Sequence, residues 1–179
     1  MKLIIGLGNI GEEYEKSRHN SGFMFVERMN KRLGGGDFSL DKKMEMYWVR
    51  TGEIIFAKPT TYMNESGRAV RRMLDYYKLN IEDLVVVHDD LDIRLGDYKV
   101  KLGVGPKVHN GLKSVEKSLG SEMFTRVRLG VDSRNESQKK IPGSNYVLSK
   151  MQKEELKVLE GEMDLAMGDL AVALGLEFE

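Results

Sequence analysis

The residues Leu84-Val85-Val86-Val87-His88-Asp89-Asp90-Leu91-Asp92 decide the fold class of this chain. The first four side chains are apolar and mostly β-branched, which is typical of a central strand covered on both faces. The strand runs directly into a polar cluster that begins at His88. Because ligand sites in α/β sheets form at the carboxyl ends of strands, the stretch predicts both a buried strand and a site that follows it.

Strands and helices alternate on both sides of this stretch. Apolar runs and period-two alternation predict further strands at residues 2–8, 46–50, 53–58, 97–102 and 126–131, of which the second and third form a hairpin candidate. Helical spacing of apolar residues predicts helices at 20–32, 64–77, 110–119 and about 151–174. Residues 133–145 are polar and are predicted to form a surface loop. The order predicts one α/β domain over residues 1–179, with a twisted, mixed, mostly parallel central sheet flanked by helices.

The composition excludes several classes of protein. The chain has 179 residues, of which 41% are hydrophobic and 31% charged, and it contains no cysteine. This excludes disulfides, thiolate metal sites and a cysteine nucleophile. No apolar run approaches the ~18 residues of a membrane helix, and no basic, apolar leader opens the chain. We therefore expect a soluble, cytoplasmic protein without a membrane partner.

The charges cancel overall but are unevenly placed. The chain carries 28 basic and 28 acidic residues. Residues 94–128 hold eight Lys and Arg against three Asp and Glu, whereas residues 152–179 hold two against eight. The simplest interpretation of either run is a solvated face. The charge distribution alone therefore identifies no partner.

The turn Gly6-Leu7-Gly8-Asn9-Ile10-Gly11 follows the first predicted strand and has the glycine spacing of a dinucleotide-binding motif. Glu12 and Glu13 follow where a pyrophosphate would bind, and their charge would repel it. Glycines required only for a tight turn are the better interpretation, so no nucleotide cofactor is expected. Asn9 remains of interest because its amide is a neutral hydrogen-bond donor suited to an oxyanion.

His19 lies at the start of the first predicted helix and is one of three histidines. A lone histidine is more often structural or exposed than catalytic. Asp89 and Asp92 could orient it and stabilise its charged form. The alternatives for these carboxylates are a loop that caps the strand and a divalent-metal site, of which metal is the weaker choice because no second ligand set is evident.

Two further asparagines precede predicted helices and have ordinary explanations taken singly. Asn64 could be a helix N-cap, and Asn110 lies where a loop enters a helix. Together with Asn9, His19 and Asp89, they form a set at strand ends that contains no nucleophile. Such a set predicts water as the attacking species.

Seven segments, in order along nearly the whole chain, give a resemblance to the bacterial peptidyl-tRNA hydrolases. They are Leu3-Ile4-Ile5-Gly6-Leu7-Gly8-Asn9, Tyr14 with Arg18-His19-Asn20-Ser21-Gly22, Lys58-Pro59-Thr60-Thr61-Tyr62-Met63-Asn64, Val87-His88-Asp89-Asp90-Leu91-Asp92, His109-Asn110-Gly111-Leu112-Lys113-Ser114, Arg126-Val127-Arg128-Leu129-Gly130 and Asn145-Tyr146-Val147-Leu148. The resemblance implies a monomeric α/β fold and hydrolysis of the ester that joins a peptide to the 3′ end of tRNA.

The resemblance also implies roles for individual residues. His19 matches the catalytic histidine and general base, and Asp89 the aspartate that orients it. The remaining matches are amides for the reacting carbonyl, water and tRNA end (Asn9, Asn64, Asn110), cleft residues (Tyr14, Tyr62, Met63) and a basic clamp for the tRNA phosphate (Lys99, Lys101, Arg128). Period-two alternation puts Lys99 and Lys101 on one face of a strand and Arg126 and Arg128 on another, where they could contact RNA phosphates. No metal and no cofactor are expected.

The sequence departs from the family pattern at three places. Ile10 replaces a proline, the glycine-rich loop at 103–109 has acquired Val104, Lys107 and Val108, and Asp132-Ser133-Arg134 stands where a glycine, a basic residue and a proline are expected. The altered loop motivates an alternative hypothesis, a catalytically weak or inactive RNA-binding relative. A nucleotide-dependent oxidoreductase is a third hypothesis, and it rests on the glycine turn alone.

Overall fold

A single seven-stranded sheet forms the centre of the protein. The computed structural model describes residues 1–175. The strands lie in the order β2-β3-β4-β1-β5-β7-β6. Their bounds are β1 Lys2–Gly6, β2 Ser39–Asp41, β3 Met46–Thr51, β4 Ile54–Pro59, β5 Leu84–Arg94, β6 Tyr98–Leu102 and β7 Thr125–Asp132.

The sheet is mixed, with a parallel centre. Strand β1 pairs in parallel with β4 and β5, and β5 pairs in parallel with β7. Antiparallel pairs complete both edges, β2 with β3 and β3 with β4 on one side and β6 with β7 on the other. The predicted fold class is confirmed, as is the hairpin of β3 and β4, whose turn contains Gly52 at φ +58°.

Helices cover both faces of the sheet. The helices are α1 Ser21–Arg32, α2 Ser66–Tyr77, α3 Asn110–Leu119, α4 Gly143–Leu148 and α5 Lys153–Leu174. One buried cluster joins α2 and α3 to the sheet through Leu3 and Ile5, and a second joins α1 and α5 to the opposite face through Ile4. Successive side chains of a strand point to opposite faces, so the apolar run of β1 supplies both cores. Within residues 1–175, no helix is long and apolar enough to cross a membrane.

The central strand is longer than its apolar run predicts. The prediction that the strand ends at Val87 is wrong, because β5 continues to Arg94. His88 and Asp90 pair in parallel register with Arg128 and Gly130 of β7. Partners on the neighbouring strand therefore hold polar residues in strand conformation.

Two other boundaries differ from the predicted ones. The second helix begins at Ser66, preceded by a short 3₁₀ helix at Met63–Glu65. Residues 133–145 are not wholly loop, since they include a 3₁₀ helix at Gln138–Lys140 and the start of α4. The last residues of the predicted domain, 176–179, lie outside the described residues.

Glu162 is a buried carboxylate that fastens α5 to the sheet. Its two oxygens accept hydrogen bonds from the backbone N–H of Gly96 at 2.9 Å and of Gly130 at 2.7 Å. Gly96 lies in the turn between β5 and β6, and Gly130 lies on β7. Burial raises the pKa of the Glu162 carboxyl to about 8. One side chain thus fixes the edge of the sheet that carries Lys99 and Lys101.

Replacing Glu162 with alanine is expected to lower the free energy of unfolding by about 2–5 kcal/mol, because two buried N–H groups lose their acceptor. Denaturant unfolding at pH 7 measures this change. Glu160 on the same helix is exposed, so Glu160→Ala is the matched control and should change the free energy by less than about 0.5 kcal/mol. Equal effects of the two substitutions would contradict the assigned role.

Candidate active site

A cleft of about 440 Å³ opens at the carboxyl ends of the parallel strands. Polar side chains line it together with apolar ones such as Leu91 and Val147. Seven of the residues predicted for the site line this cleft, namely Asn9, His19, Tyr62, Met63, Asn64, Asp89 and Asn110. Residues from five separate parts of the chain therefore meet where the fold predicts a site.

Glycines bring the segment that carries His19 against the sheet. A Cβ atom on Gly6 would lie 2.1 Å from the carbonyl oxygen of Gly22, and one on Gly22 would lie 2.4 Å from the carbonyl oxygen of Val87. The end of β1 and the middle of β5 thus meet the start of α1 at backbone distance. Gly11 has φ +131°, which agrees with glycine in a tight turn. Close packing and a tight turn therefore account for these glycines, and a nucleotide-binding role is not needed to explain them.

His19 and Asp89 are in direct contact. Nδ1 of His19 lies 2.8 Å from Oδ1 of Asp89. A charged carboxylate only accepts hydrogen bonds, so Nδ1 donates and the neutral ring keeps its lone pair on Nε2. His19 precedes α1 in a 3₁₀ helix at Arg18–Asn20, and its side chain is 12% exposed. A nitrogen that can accept a proton is therefore available beside the cleft.

His109 is a second histidine on the same carboxylate, and its role was not predicted from the sequence. Its Nε2 lies 2.9 Å from Oδ1 of Asp89, and its Nδ1 accepts a hydrogen bond from the backbone N–H of Leu112 at 3.2 Å. The proton of neutral His109 is therefore on Nε2, which donates to Asp89. Two donors on one oxygen fix the position of the carboxylate that holds His19.

The electrostatic interactions of Asp89 with His19 and His109 keep its carboxylate charged. Burial by itself raises the pKa of Asp89, but the charges and hydrogen bonds of His19 and His109 lower the pKa well below its usual range. Burial lowers the pKa of His19, and the charge and hydrogen bond of Asp89 outweigh burial, so that the pKa lies above 6.5. The pair can thus gain and release a proton at His19.

His88 takes no part in this exchange. Its Nδ1 donates to the backbone carbonyl of Asp89 at 2.7 Å, and the side chain is fully buried. Burial, reinforced by the neighbouring His109, lowers the pKa of His88 to about 3. The ring is therefore neutral at ordinary pH and supports the strand beneath the site.

Asn20, for which the sequence predicted no role of its own, fixes the backbone of Asn9. Its Oδ1 accepts from the N–H of Asn9 at 2.8 Å, and its Nδ2 donates to the carbonyl of Asn9 at 2.9 Å. Asn20 is buried, and the two bonds mimic the pairing of a neighbouring strand. The sequence signal that could have indicated a role for Asn20 is its position next to His19, since both residues belong to one 3₁₀ helix.

Replacing Asn20 with alanine is expected to lower kcat about tenfold or more, because Asn9 would lose both bonds that hold it and small misplacements in a site are costly. The comparison of kcat and KM with those of the wild-type protein measures this change. Asn30 is a buried asparagine on α1 outside the cleft, and Asn30→Ala is the control for loss of stability alone. Equal kcat in the Asn20→Ala and wild-type proteins would remove Asn20 from the site.

Among residues 1–175, the side chains of Asn64 and Asn110 are free, like that of Asn9. Glu65, not Asn64, directly precedes α2, and the N-cap of α3 is His109. The ordinary explanation of Asn64 as a helix N-cap is therefore wrong. In the described part of the chain, the side-chain amides of Asn9, Asn64 and Asn110 make no hydrogen bond within the protein, and all three line the cleft.

Among residues 1–175, two other candidates form no hydrogen bond with the side chain of His19. Oδ2 of Asp92 accepts from the backbone N–H of Lys107 at 2.9 Å, so Asp89 and not Asp92 is the partner of His19. Tyr14 is not among the residues that line the cleft. Its backbone forms the turn in which its N–H bonds to the carbonyl of Gly11.

The basic residues near β6 share one face of the sheet. In the antiparallel pair of β6 with β7, Lys99 lies opposite Arg128 and Lys101 opposite Arg126. Directly opposed residues of such a pair point to the same side, so the prediction of two different faces is wrong. Asp90 forms an ion pair with Arg128 at 2.7 Å, and Glu116 forms one with Arg126 at 2.8 Å.

Neither a metal nor a hydroxyl nucleophile is needed to explain the cleft. His19, Asp89 and His109 offer ligand atoms within 4.8 Å of one another. The bond from Leu112 nevertheless keeps the proton of His109 on Nε2, the atom that would have to bind the metal. Ser144 lines the cleft, but among residues 1–175 no hydroxyl group bonds to either nitrogen of His19.

The fold and the site together define an α/β protein with a mixed sheet, whose cleft holds a histidine bonded to a carboxylate with free amides around it. Residues 3–177 match the family model of peptidyl-tRNA hydrolase. The chain belongs to the peptidyl-tRNA hydrolase family.

Individual relatives agree with this assignment. A peptidyl-tRNA hydrolase of Aliarcobacter butzleri is 44% identical over 160 residues, which are 89% of this chain and 85% of that protein. One from Ligilactobacillus salivarius is 41% identical over 95% of this chain and 91% of its own length. A crystal structure of peptidyl-tRNA hydrolase from Acinetobacter baumannii superimposes with a TM-score of 0.85 at 31% identity, covering 96% of this chain and 87% of that one.

Proposed function

We propose that the protein hydrolyses the ester bond between peptide and tRNA in peptidyl-tRNA, with His19 as the general base that activates water. The observation that carries the proposal is the 2.8 Å hydrogen bond from Nδ1 of His19 to Asp89, which leaves Nε2 as a proton acceptor. Histidine in this form suits base catalysis near neutral pH. Family membership supports the substrate.

The proposed reaction has two steps that share His19. Nε2 takes a proton from water as the water oxygen attacks the ester carbonyl, and Asp89 stabilises the imidazolium that forms. The tetrahedral intermediate then collapses, and the imidazolium returns its proton to the departing ribose oxygen. The products are a peptide with a free carboxylate and a tRNA with a free 3′-terminal hydroxyl, and the enzyme is restored.

The free amides have complementary tasks in this proposal. Asn9, whose backbone Asn20 holds, donates to the oxyanion of the intermediate. Asn64 and Asn110 bind the peptide and the tRNA end, and Tyr62 and Met63 supply apolar contacts beside them. Tyr14 is assigned to the substrate by family resemblance alone, since it does not line the cleft.

Substrate RNA is proposed to bind along β6. Lys99 and Lys101 are exposed on one face of this strand and can contact phosphates without reading sequence, which suits an enzyme that accepts many tRNAs. Arg128 points to the same side but is paired with Asp90.

We further propose that the protein is a monomer and forms one domain over residues 1–179. We also propose that it acts in the cytoplasm, where translation releases its substrate.

The alternative of an inactive RNA-binding relative is not retained. It was motivated by the altered loop at 103–109, yet His109 at the end of this loop bonds to Asp89, and Asn110 lines the cleft. The oxidoreductase hypothesis loses its basis as well, because close packing accounts for Gly6.

Incubation of the purified protein with N-acetylphenylalanyl-tRNA tests the proposed function. We expect multiple turnovers that yield N-acetylphenylalanine and intact tRNA. A tRNA that carries the same acyl group through a 3′ amide is the control and should react far more slowly, because an amine leaves less readily than an alcohol. Release at the rate of a protein-free blank would reject the proposal.

A further inference from the structure

The residue directly before His19 is Arg18, a buried arginine whose side chain contacts the C-terminal part of the chain. Its Nη1 donates to the hydroxyl group of Ser149 at 2.6 Å, and its Nη2 donates to Oε1 of Glu155 at 2.6 Å. The guanidinium carbon lies 4.1 Å from the centroid of the Tyr146 ring. Tyr146 belongs to α4, and Glu155 to the first turn of α5. One side chain therefore joins the 3₁₀ helix that carries His19 to both of these helices.

The backbone makes a contact at the same place. Ser17 and Lys150 form an isolated antiparallel β-bridge, and the N–H of Met151 donates to the carbonyl oxygen of Lys16 at 2.9 Å. On one side of this contact the chain continues directly to His19. On the other side it is preceded by α4, which lines the cleft. The general base and the cleft-lining helix therefore adjoin one contact between two chain segments.

A second arginine, Arg134, lies over the ring of Tyr146. Its guanidinium carbon is 4.9 Å from the ring centroid, and its Nε donates to Oδ1 of Asp132 at 2.8 Å. The Tyr146 hydroxyl group lies 2.8 Å from Oγ of Ser133, which also donates to Glu155. Asp132, Ser133 and Arg134 are the residues at which the sequence departs from the family pattern. These departures therefore complete a network of polar contacts around the ring.

The contacts of Arg18 specify an orientation more than they stabilise the fold. A buried ion pair is weak evidence for stability, because desolvation of the two charges offsets their attraction. Lysine would supply the same charge to Glu155. Arginine, however, has a planar fork that can donate in two directions while its face lies on an aromatic ring. Orientation matters for the reaction, since a displacement of about 1 Å in a site can lower a rate 10²-fold.

We propose that Arg18 is a positioning residue that fixes the 3₁₀ helix carrying His19 against the cleft-lining helix α4. Glu155 and Tyr146 are the partners through which it acts. The inference rests on the proposed function, because it takes His19 as the general base. Arg18 is not among the residues that line the cleft, so its effect on the reaction passes through His19. The bond to Asp89 orients the histidine ring only while the backbone beneath that ring stays in place.

The substitution Arg18→Lys tests the proposal, because it keeps the charge but removes the fork and its stacking. We expect kcat for peptidyl-tRNA hydrolysis to fall about tenfold. Rates at saturating substrate measure this change, and denaturant unfolding gives the folded fraction. Arg28→Lys is the matched control, since Arg28 joins α1 to α5 through Asp164 at 2.8 Å and neither residue lines the cleft. This control should leave kcat unchanged. A merely structural Arg18 would change the free energy of unfolding without changing kcat of the folded protein.

The Nδ1 proton of His19 gives a measurement that does not depend on turnover. In NMR spectra of the free protein, this proton should exchange with water faster in Arg18→Lys than in the wild-type and Arg28→Lys proteins, because its contact with Asp89 opens more often. Tyr146→Leu removes the ring and should act in the same way. The double variant Arg18→Lys/Tyr146→Leu should lose no more kcat than the more severe single variant, because residues that act as a unit are not additive.

Three results would overturn the proposal while turnover by the wild-type protein still supported the proposed function. The first is a wild-type kcat in Arg18→Lys. The second is a lower kcat with an unchanged exchange rate of the His19 proton, which would show that Arg18 does not act through His19. The third is a double variant in which the losses of kcat add. Absence of turnover by the wild-type protein would reject the proposed function and the inference together.

Discussion

Replacing His19 with alanine is expected to lower kcat for peptidyl-tRNA hydrolysis by about 10²–10⁴-fold, the range of a single general base. The cleft would keep its amides and its apolar lining residues, so KM should change little. Asp89 would retain its second donor, since His109 bonds to the same oxygen. Initial rates at saturating substrate measure the effect.

Two controls accompany this substitution: chemical rescue separates loss of the base from loss of the fold, and a second substitution tests for a nucleophile. Added imidazole should restore part of the activity of His19→Ala, because it can enter the space of the missing ring and accept the proton. Ser144→Ala tests whether the hydroxyl group in the cleft acts as a nucleophile, and we expect full activity. Comparable release by His19→Ala and wild-type proteins would exclude His19 as the base.

Replacing Asp89 with asparagine is expected to lower kcat by a similar factor of about 10²–10⁴. A neutral amide cannot stabilise the imidazolium that forms as water attacks. It also offers N–H groups in a place where His19 and His109 both donate, so the ring of His19 loses its defined orientation. Rates of the variant and circular dichroism of its fold provide the measurement.

The pH dependence of the same variant gives a separate check. The charge of Asp89 raises the pKa of His19 against the opposing effect of burial. Without that charge the pKa falls, so the acid limb of kcat/KM should shift to lower pH. An acid limb at the same pH in Asp89→Asn and wild-type proteins would show that Asp89 does not act on the titrating group.

The core of the fold could be predicted because local chemistry specifies it. Uniformly apolar, β-branched residues at 84–87 have one favourable place, the middle of the sheet, and β5 lies there between β1 and β7. The extension of β5 through His88 and Asp90 could not be predicted, because it depends on pairing with β7 about 40 residues later. Because that partner cannot be identified from the sequence, the strand was predicted to end at Val87.

The site was predicted in composition but not in geometry. Contact between His19 and Asp89 spans 70 positions of the chain and depends on the close approach allowed by Gly6 and Gly22. Asn20 and His109 were missed because their partners, the backbone of Asn9 and the carboxylate of Asp89, are identified only once the strands are assembled.

Strand register explains the error over the basic residues. The alternation of β6 and of β7 could each be predicted from the sequence, but which residues oppose one another depends on the turn and on pairing. The observed register puts Lys99, Lys101, Arg126 and Arg128 on one face. Asp90 and Glu116 then neutralise the arginines, and this charge compensation can be recognised only in the assembled fold.

Comparison of two titrations tests the role of His19 most directly. The pKa of His19 is measured by NMR of the free protein, with His19→Ala used to assign its signals, and the acid limb of kcat/KM is measured with peptidyl-tRNA. We predict one midpoint for both curves, above 6.5, with the rate falling as pH drops through it. Midpoints that differ, or a rate that shows no acid limb while His19 titrates, would contradict His19 as the general base.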